Sequence, residues 1–223
     1  MPADAPHDPS PADALQALLE LCSLDALPRT GWTLRGVAPA ESVAGHMLGV
    51  AHVALALAPR VDPPLDLARV LAMAVLHDAP EARSGDIPGP AGARLPAGAK
   101  AALEASLARD LLAPLSRTAL AAFEEFQGQA TPEARFVKAC DRLQLGVRLL
   151  AYERAGWRGL EEFWGGLAPE RFEEFEPCGR LCDALHGQRS HGEGPGREGL
   201  GGEDLGEQEL HGRGPQGGGT ASS

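Results

Sequence analysis

VLAMAVLHDAPEARSGDIP, residues 70–88, runs apolar for seven residues and then turns ionic. Val70, Leu71, Ala72, Met73, Ala74, Val75 and Leu76 are followed by His77, Asp78, Glu81, Arg83 and Asp86. A stretch apolar nearly all round is a helix buried in the middle of a bundle. The pattern from about 65 to 79 therefore predicts one, closed by Pro80 or passing there into a new first turn. Polar groups at the end of such a helix cost several kcal/mol unless they are paired or bound to metal.

Outward from this helix, apolar residues recur at three and four rather than at two. Leu15, Leu18, Leu19 and Cys22 mark a first helix, and Val43, Met47, Val50, Val53, Ala54 and Leu57 a second. Residues 83–96, with Gly85, Pro88, Gly89, Pro90, Gly92 and Pro96, read as a loop. Helices are predicted over about 97–114, 116–128, 132–155, 159–166 and 169–186. Thr131-Pro132-Glu133 supplies a cap, a first-position proline and an acidic first turn. Few segments read as strands, so the fold class is all-α, a single helical domain over 1–187. Residues 188–223 hold 12 of the 28 glycines and almost no large apolar side chain, which predicts a disordered tail.

A net charge of −11 and a pI near 5.1 argue against a nucleic-acid polymer as partner. No basic segment with an apolar run behind it opens the chain, and no membrane span is expected, so the reading is a soluble cytoplasmic protein. Cys22, Cys140, Cys178 and Cys182 lack the spacing of a disulfide framework and are expected to be reduced. Cys178, Cys182 and His186 share a helix face, but no fourth ligand accompanies them as a metal clip.

Three helices carry groups that an apolar core rejects: His46 between Val43, Met47 and Val50; the His77-Asp78 pair; and Asp141 in FVKACDRLQLGVRLL. Taken singly, each reads as an ordinary hydrogen-bonded or salt-bridged residue. Taken together, two imidazoles and two carboxylates form a mixed N/O set suited to Mn²⁺, Co²⁺ or Zn²⁺. Such an ion polarises a phosphoryl oxygen and acidifies water.

Four blocks carry a family resemblance in content and order: PRTGW (28–32), ESVAGHM (41–47), HDAPEARSGDIP (77–88) and FVKACD (136–141). Together they resemble the H…HD…D pattern of the HD-domain phosphohydrolases, and within these the 5′-deoxynucleotidase branch. The resemblance implies an HD-domain helical bundle with His46, His77, Asp78 and Asp141 as metal ligands. It implies Glu81 as the residue that prepares the attacking water, and Asp86 as a second acid nearby. It also implies a small-molecule nucleotide substrate and a homodimer.

In the PRTGW block or just after it, Arg29 or Arg35 is expected to meet the phosphate, and Trp32 to pack on sugar or base. Gly31 stands where the best-known bacterial members place arginine, an arrangement similar to a second subgroup, so the phosphate role is open between the two arginines. Glu41 and Ser42 read as caps of the His46 helix, with a pocket role for Glu41 left open. Two alternatives stand beside this reading. A guanosine tetraphosphate hydrolase carries a Glu-Asp pair where this chain has Glu81-Ala82. A non-catalytic nucleotide-binding module would need a missing residue to motivate it.

Overall fold

The computed structural model describes residues 9–192, and among these the secondary structure is helical apart from one isolated bridge between Pro28 and Ser42. The chain opens with α1 (Pro11–Leu21), where Ser10 and Asp13 form a reciprocal capping box. Two single turns, α2 (Ser23–Ala26) and α3 (Thr30–Thr33), lead to α4 (Val43–Leu57). There Ser42 accepts from the Gly45 amide, as a cap should. Next come α5 (Leu67–Ala74), α6 (Glu81–Ser84), α7 (Gly89–Gly92), α8 (Ala99–Leu115) and α9 (Arg117–Gly128). The longest helix, α10 (Pro132–Arg154), is capped by Thr131, and two 3₁₀ segments, Glu161–Leu167 and Pro169–Phe172, precede α11 (Glu176–Gly192).

The buried face of α10 organises the bundle, with α4, α5, α9 and α11 packed against it. Phe136, Val137, Cys140, Leu143 and Leu149 of α10 meet Val50 and Ala54 of α4 and Val70 and Met73 of α5 in one core. Each large side chain so buried contributes about 1.5–3 kcal/mol. Ala17, Leu111, Leu112 and Phe123 close a second core between α1, α8 and α9. Close approach sets two glycines: a Cβ at Gly146 would lie 2.6 Å from Leu167 Cδ1, and one at Gly49 would lie 2.7 Å from Gln144 Nε2.

Several boundaries differ from the sequence expectation. The buried helix stops at Ala74 rather than 79, and His77, Asp78 and Ala79 lie in tight turns closed by Leu76 N–H to Met73 O and Ala79 N–H to Leu76 O. Pro80 lacks an N–H and clashes with a helical predecessor, so an α-helix cannot run through it unbroken. The predicted helices 159–166 and 169–186 are 3₁₀ segments followed by α11, where Gly165, Gly166 and Pro169 disfavour a regular α-helix. The loop 83–96 contains α7 and the end of α6. The helix α11 reaches Gly192, past the expected tail boundary at 188; the rest of that tail, from residue 193, lies outside the described residues.

On α1 the apolar stripe faces outward: Leu15, Leu18 and Leu19 are exposed, and Ala17 is the buried member. Val43–Arg60 is long and apolar enough to cross a membrane by length and composition alone, a test that the core helix of a bundle also passes. It is half buried in the bundle, where its inward face carries Val50, Ala54 and His46. All four cysteines are free thiols. Cys182 Sγ and His186 Nε2 both reach the carbonyl oxygen of Leu167, at 3.3 and 3.0 Å, which occupies two members of the supposed clip structurally.

Candidate metal centre

α4 carries His46 one turn inside its Ser42 cap, the turn after α5 carries His77 and Asp78, and the middle of α10 carries Asp141. Both imidazoles are buried and both carboxylates half-buried. The four side chains converge. His46 Nε2 lies 3.3 Å from His77 Nε2, 3.1 Å from Asp141 Oδ1 and 3.6 Å from Asp78 Oδ2, and His77 Nε2 lies 3.4 Å from Asp78 Oδ2. One donor atom from each of His46, His77 and Asp78 falls within 4.8 Å of the others, so the cluster could hold a metal ion.

The outer faces of the two rings show what belongs between them. His77 Nδ1 lies 2.9 Å from the Ala74 carbonyl oxygen, which can only accept, so Nδ1 carries the proton. His46 Nδ1 lies 2.5 Å from Gln144 Oε1. The amide orientation is fixed because Gln144 Nε2 donates to Glu41 Oε1 at 2.6 Å, which leaves the carbonyl end for His46. When neutral, each ring thereby carries its proton on Nδ1 and turns a bare Nε2 toward the cluster. Two lone pairs and two carboxylates then face one another in a low-dielectric interior, an arrangement that calls for a cation.

Glu41 is therefore more than a cap: it is buried and accepts from Gln144 and, at 2.9 Å, from Arg148 Nε. Its own amide donates to Tyr152 Oη at 2.7 Å. Ser42 alone does the capping. Gln144 was not anticipated from sequence, although a glutamine between Leu143 and Leu145 in an apolar helix is the signal that would have found it.

Electrostatics follow from this crowding. Burial works to raise Asp78, but the His77 and Arg29 charges beside it hold its carboxyl well below the ordinary range. Asp141 is likewise held low against its burial, by Lys138 and the two histidines. His77 is pushed up, burial being outweighed by Asp78 and Asp141. Glu81 goes the other way: burial, then the Asp78 and Asp86 charges, push it up to about 9. Its Oε2 is buried with no hydrogen-bond partner.

A cleft of about 510 Å³ opens beside the cluster. Arg29, Lys138, Asp78, Asp141, Glu81 and Asp86 share its polar wall. Arg29 Nη1 is 3.0 Å from Asp78 Oδ2, and Lys138 Nζ is 2.8 Å from Asp141 Oδ2. Lys138 stands one helical turn before Asp141 on α10. Arg35 also lines the cleft but is drawn outward to Glu162. Trp32 forms an apolar wall, buried against Phe163 and Tyr152 with ring centroids 4.5 and 5.2 Å away. Asp86 Oδ2 accepts from the Thr30 amide at 2.5 Å, and Thr30 Oγ1 donates to the Asp86 carbonyl oxygen, which fastens the 85–88 turn to α3. Glu81 shares no helix with His77, since α5 ends at Ala74, and it reaches the cleft from α6.

A helical bundle in which His46, His77 and Asp78 could hold a metal ion, with Asp141 beside them, is the arrangement to compare with known proteins. The HD domain family model matches residues 23–174, and the chain belongs to that family. A 5′-deoxynucleotidase of Schizosaccharomyces pombe is 32% identical over 155 residues, 66% of this chain and 77% of that one. The human 5′-deoxynucleotidase is 33% identical over 142 residues, 62% and 68% of the two chains. Among solved structures, a conserved hypothetical protein from Pyrococcus furiosus superposes with a TM-score of 0.67 at 31% identity, covering 79% of this chain and 99% of that one.

Proposed function

We propose that the chain is a metal-dependent phosphomonoesterase that hydrolyses deoxyribonucleoside 5′-monophosphates to nucleoside and inorganic phosphate. The observation that carries this reading is the convergence of His46, His77, Asp78 and Asp141 at 3.1–3.6 Å around bare ring nitrogens, at the wall of a cleft with cationic side chains. Relatives named 5′-deoxynucleotidase support the substrate class. A divalent ion held there, Co²⁺, Mn²⁺ or Zn²⁺ by the donor set, supplies a Lewis acid for a phosphoryl oxygen and makes water more acidic.

The chain's own residues do the rest. Arg29 and Lys138 balance the ligand carboxylates and donate to phosphoryl oxygens as the P–O bond lengthens. Glu81, buried and unpaired at Oε2, moves the proton of the attacking water and returns one to the leaving 5′-oxygen. Asp86 shares the cleft wall, and its bond to Thr30 makes it a positioning residue for Arg29 and Trp32 as well. Trp32 and Phe163 offer an apolar surface to sugar or base. A cleft of about 510 Å³ is of the size that encloses a small molecule.

The reading includes a cytoplasmic enzyme acting on free nucleotides rather than on a nucleic-acid polymer, in keeping with the charge of −11. It also includes a homodimer, for which exposed Leu15, Leu18 and Leu19 offer an apolar stripe. The test is a panel of nucleoside monophosphates, nucleoside triphosphates and guanosine tetraphosphate given to metal-supplemented protein. Phosphate from monophosphates alone is the expected result. Release of pyrophosphate from guanosine tetraphosphate, or no turnover with metal bound, would overturn it.

A further inference from the structure

α10 begins with a row of cations. Arg135, Lys138 and Arg142 lie at steps of three and four, on one face of the helix, a spacing at which like charges work against it. Arg171, from the 3₁₀ segment Pro169–Phe172, joins them around a second cavity of about 190 Å³. The cavity lining includes one carboxylate, Glu174, and Arg135 takes it at 2.8 and 3.1 Å. Lys138 is drawn to Asp141 on the other side. Arg142 and Arg171 make no hydrogen bond or ion pair among the described residues.

Four cations around one concavity are out of keeping with a chain of 31 acidic and 20 basic residues. Guanidinium groups match the oxygens of a phosphoryl group two at a time, a geometry that an isolated surface charge does not need. The volume is below the roughly 300–1,000 Å³ of sites that enclose a whole small molecule, so a phosphate chain fits and any attached nucleoside stays outside.

We propose that this cavity is a binding site for a di- or triphosphate group, held by Arg142 and Arg171 with Lys138, and distinct from the metal centre. Lys138 lines both cavities, so an anion in the second one competes with Asp141 for its ammonium group. That coupling rests on the reading of Asp141 as a ligand, whereas the site itself does not. The phosphate chain comes either from inorganic polyphosphate or from a nucleoside di- or triphosphate.

The test titrates inorganic triphosphate into metal-free full-length protein by calorimetry at low and moderate salt. Wild-type protein and a His46→Ala variant should bind it alike, more weakly as salt rises. A double Arg142→Ala, Arg171→Ala variant should lose at least about tenfold in affinity, about 1.4 kcal/mol. The double lysine variant, which keeps charge but not the fork, should fall between. Neither arginine is placed in the catalytic machinery, so the double alanine variant should keep its fold and its basal hydrolysis of monophosphates. Adenosine triphosphate binding more tightly than triphosphate assigns a nucleotide source; equal binding assigns the inorganic one. Absence of binding to wild type at millimolar triphosphate, unchanged binding to the double alanine variant, or loss of binding in His46→Ala would overturn the site. The readout involves no turnover, so it stands or falls separately from the phosphatase reading.

Discussion

Gly49→Ala puts one methyl group into the chain of contacts that orients His46. The added Cβ would lie 2.7 Å from Gln144 Nε2, 2.8 Å from its Cγ and 3.1 Å from its Cδ, so Gln144 must move. It is buried and held by hydrogen bonds at 2.5 and 2.6 Å to His46 and Glu41, and cannot yield without breaking them. In an open helix the same change would stabilise by about 0.8–1 kcal/mol. Here, loss of buried bonds to a carboxylate costs about 1.5–3 kcal/mol, so net destabilisation is expected. Loss of the partner that orients the His46 imidazole should weaken metal binding about 10–100-fold. Equilibrium titration of Mn²⁺ into stripped protein reads the second effect and calorimetric melting without metal reads the first. Gly146→Ala is the control: its Cβ meets Leu167 and Leu185 side chains, so it should lower the melting temperature and leave metal affinity alone. Adding Gln144→Ala to Gly49→Ala removes the clash but should recover neither stability nor affinity, since the bonds to His46 and Glu41 are lost either way. Wild-type metal affinity in Gly49→Ala would refute the claim that Gln144 fixes the His46 tautomer.

Glu81 links stability to pH in the metal-stripped protein. Its carboxyl is pushed up to about 9 by burial and by Asp78 and Asp86, so it binds a proton more readily folded than unfolded. Such a group adds stability that is complete below its unfolded pKa, near 4.5, and lost as pH rises through about 9. Stripped wild-type protein should therefore lose a few kcal/mol over that window from this group, and Glu81→Gln should flatten the slope in thermal melts. With metal restored, Glu81→Gln should reduce kcat about 10²–10⁴-fold in phosphate-release assays. Arg29 touches Asp78 from a half-buried position, whereas Arg35 is spent on an exposed Glu162. Arg29→Ala should thus cost about tenfold or more in kcat/KM. Arg35→Ala should cost less than about fivefold, and the reverse ranking would reassign the phosphate contact.

Much of the fold is legible because the core helices keep a helical period through to their caps. Thr131 accepts from the Ala134 amide at the start of α10 as its TPE triplet predicts, and the inward face of α4 carries the residues that its spacing selects. Where the helix at 65–79 stops is less legible, since Pro80 sets a limit but the tight turns that begin at Val75 depend on tertiary packing. α1 misleads more deeply, because periodicity reports a stripe and not the side on which the protein lies. At the site, His46, His77, Asp78 and Asp141 stand out as polar residues in apolar helices, and the structure brings them together. Gln144 between Leu143 and Leu145 carries a weak signal, but only its 2.5 Å approach to His46 shows that it meets a ring rather than water. Glu41 and Lys138 do not stand out, because an ordinary charged residue beside or on a helix looks the same whether it lines a site or faces water.

Anomalous scattering from crystals of Mn²⁺-loaded protein is the most direct test of the metal centre. One strong peak enclosed by His46, His77, Asp78 and Asp141, lost in His77→Ala, is the expected result. A peak elsewhere, such as beside Cys178 and Cys182, or no peak between the two imidazoles at saturating metal, would contradict it.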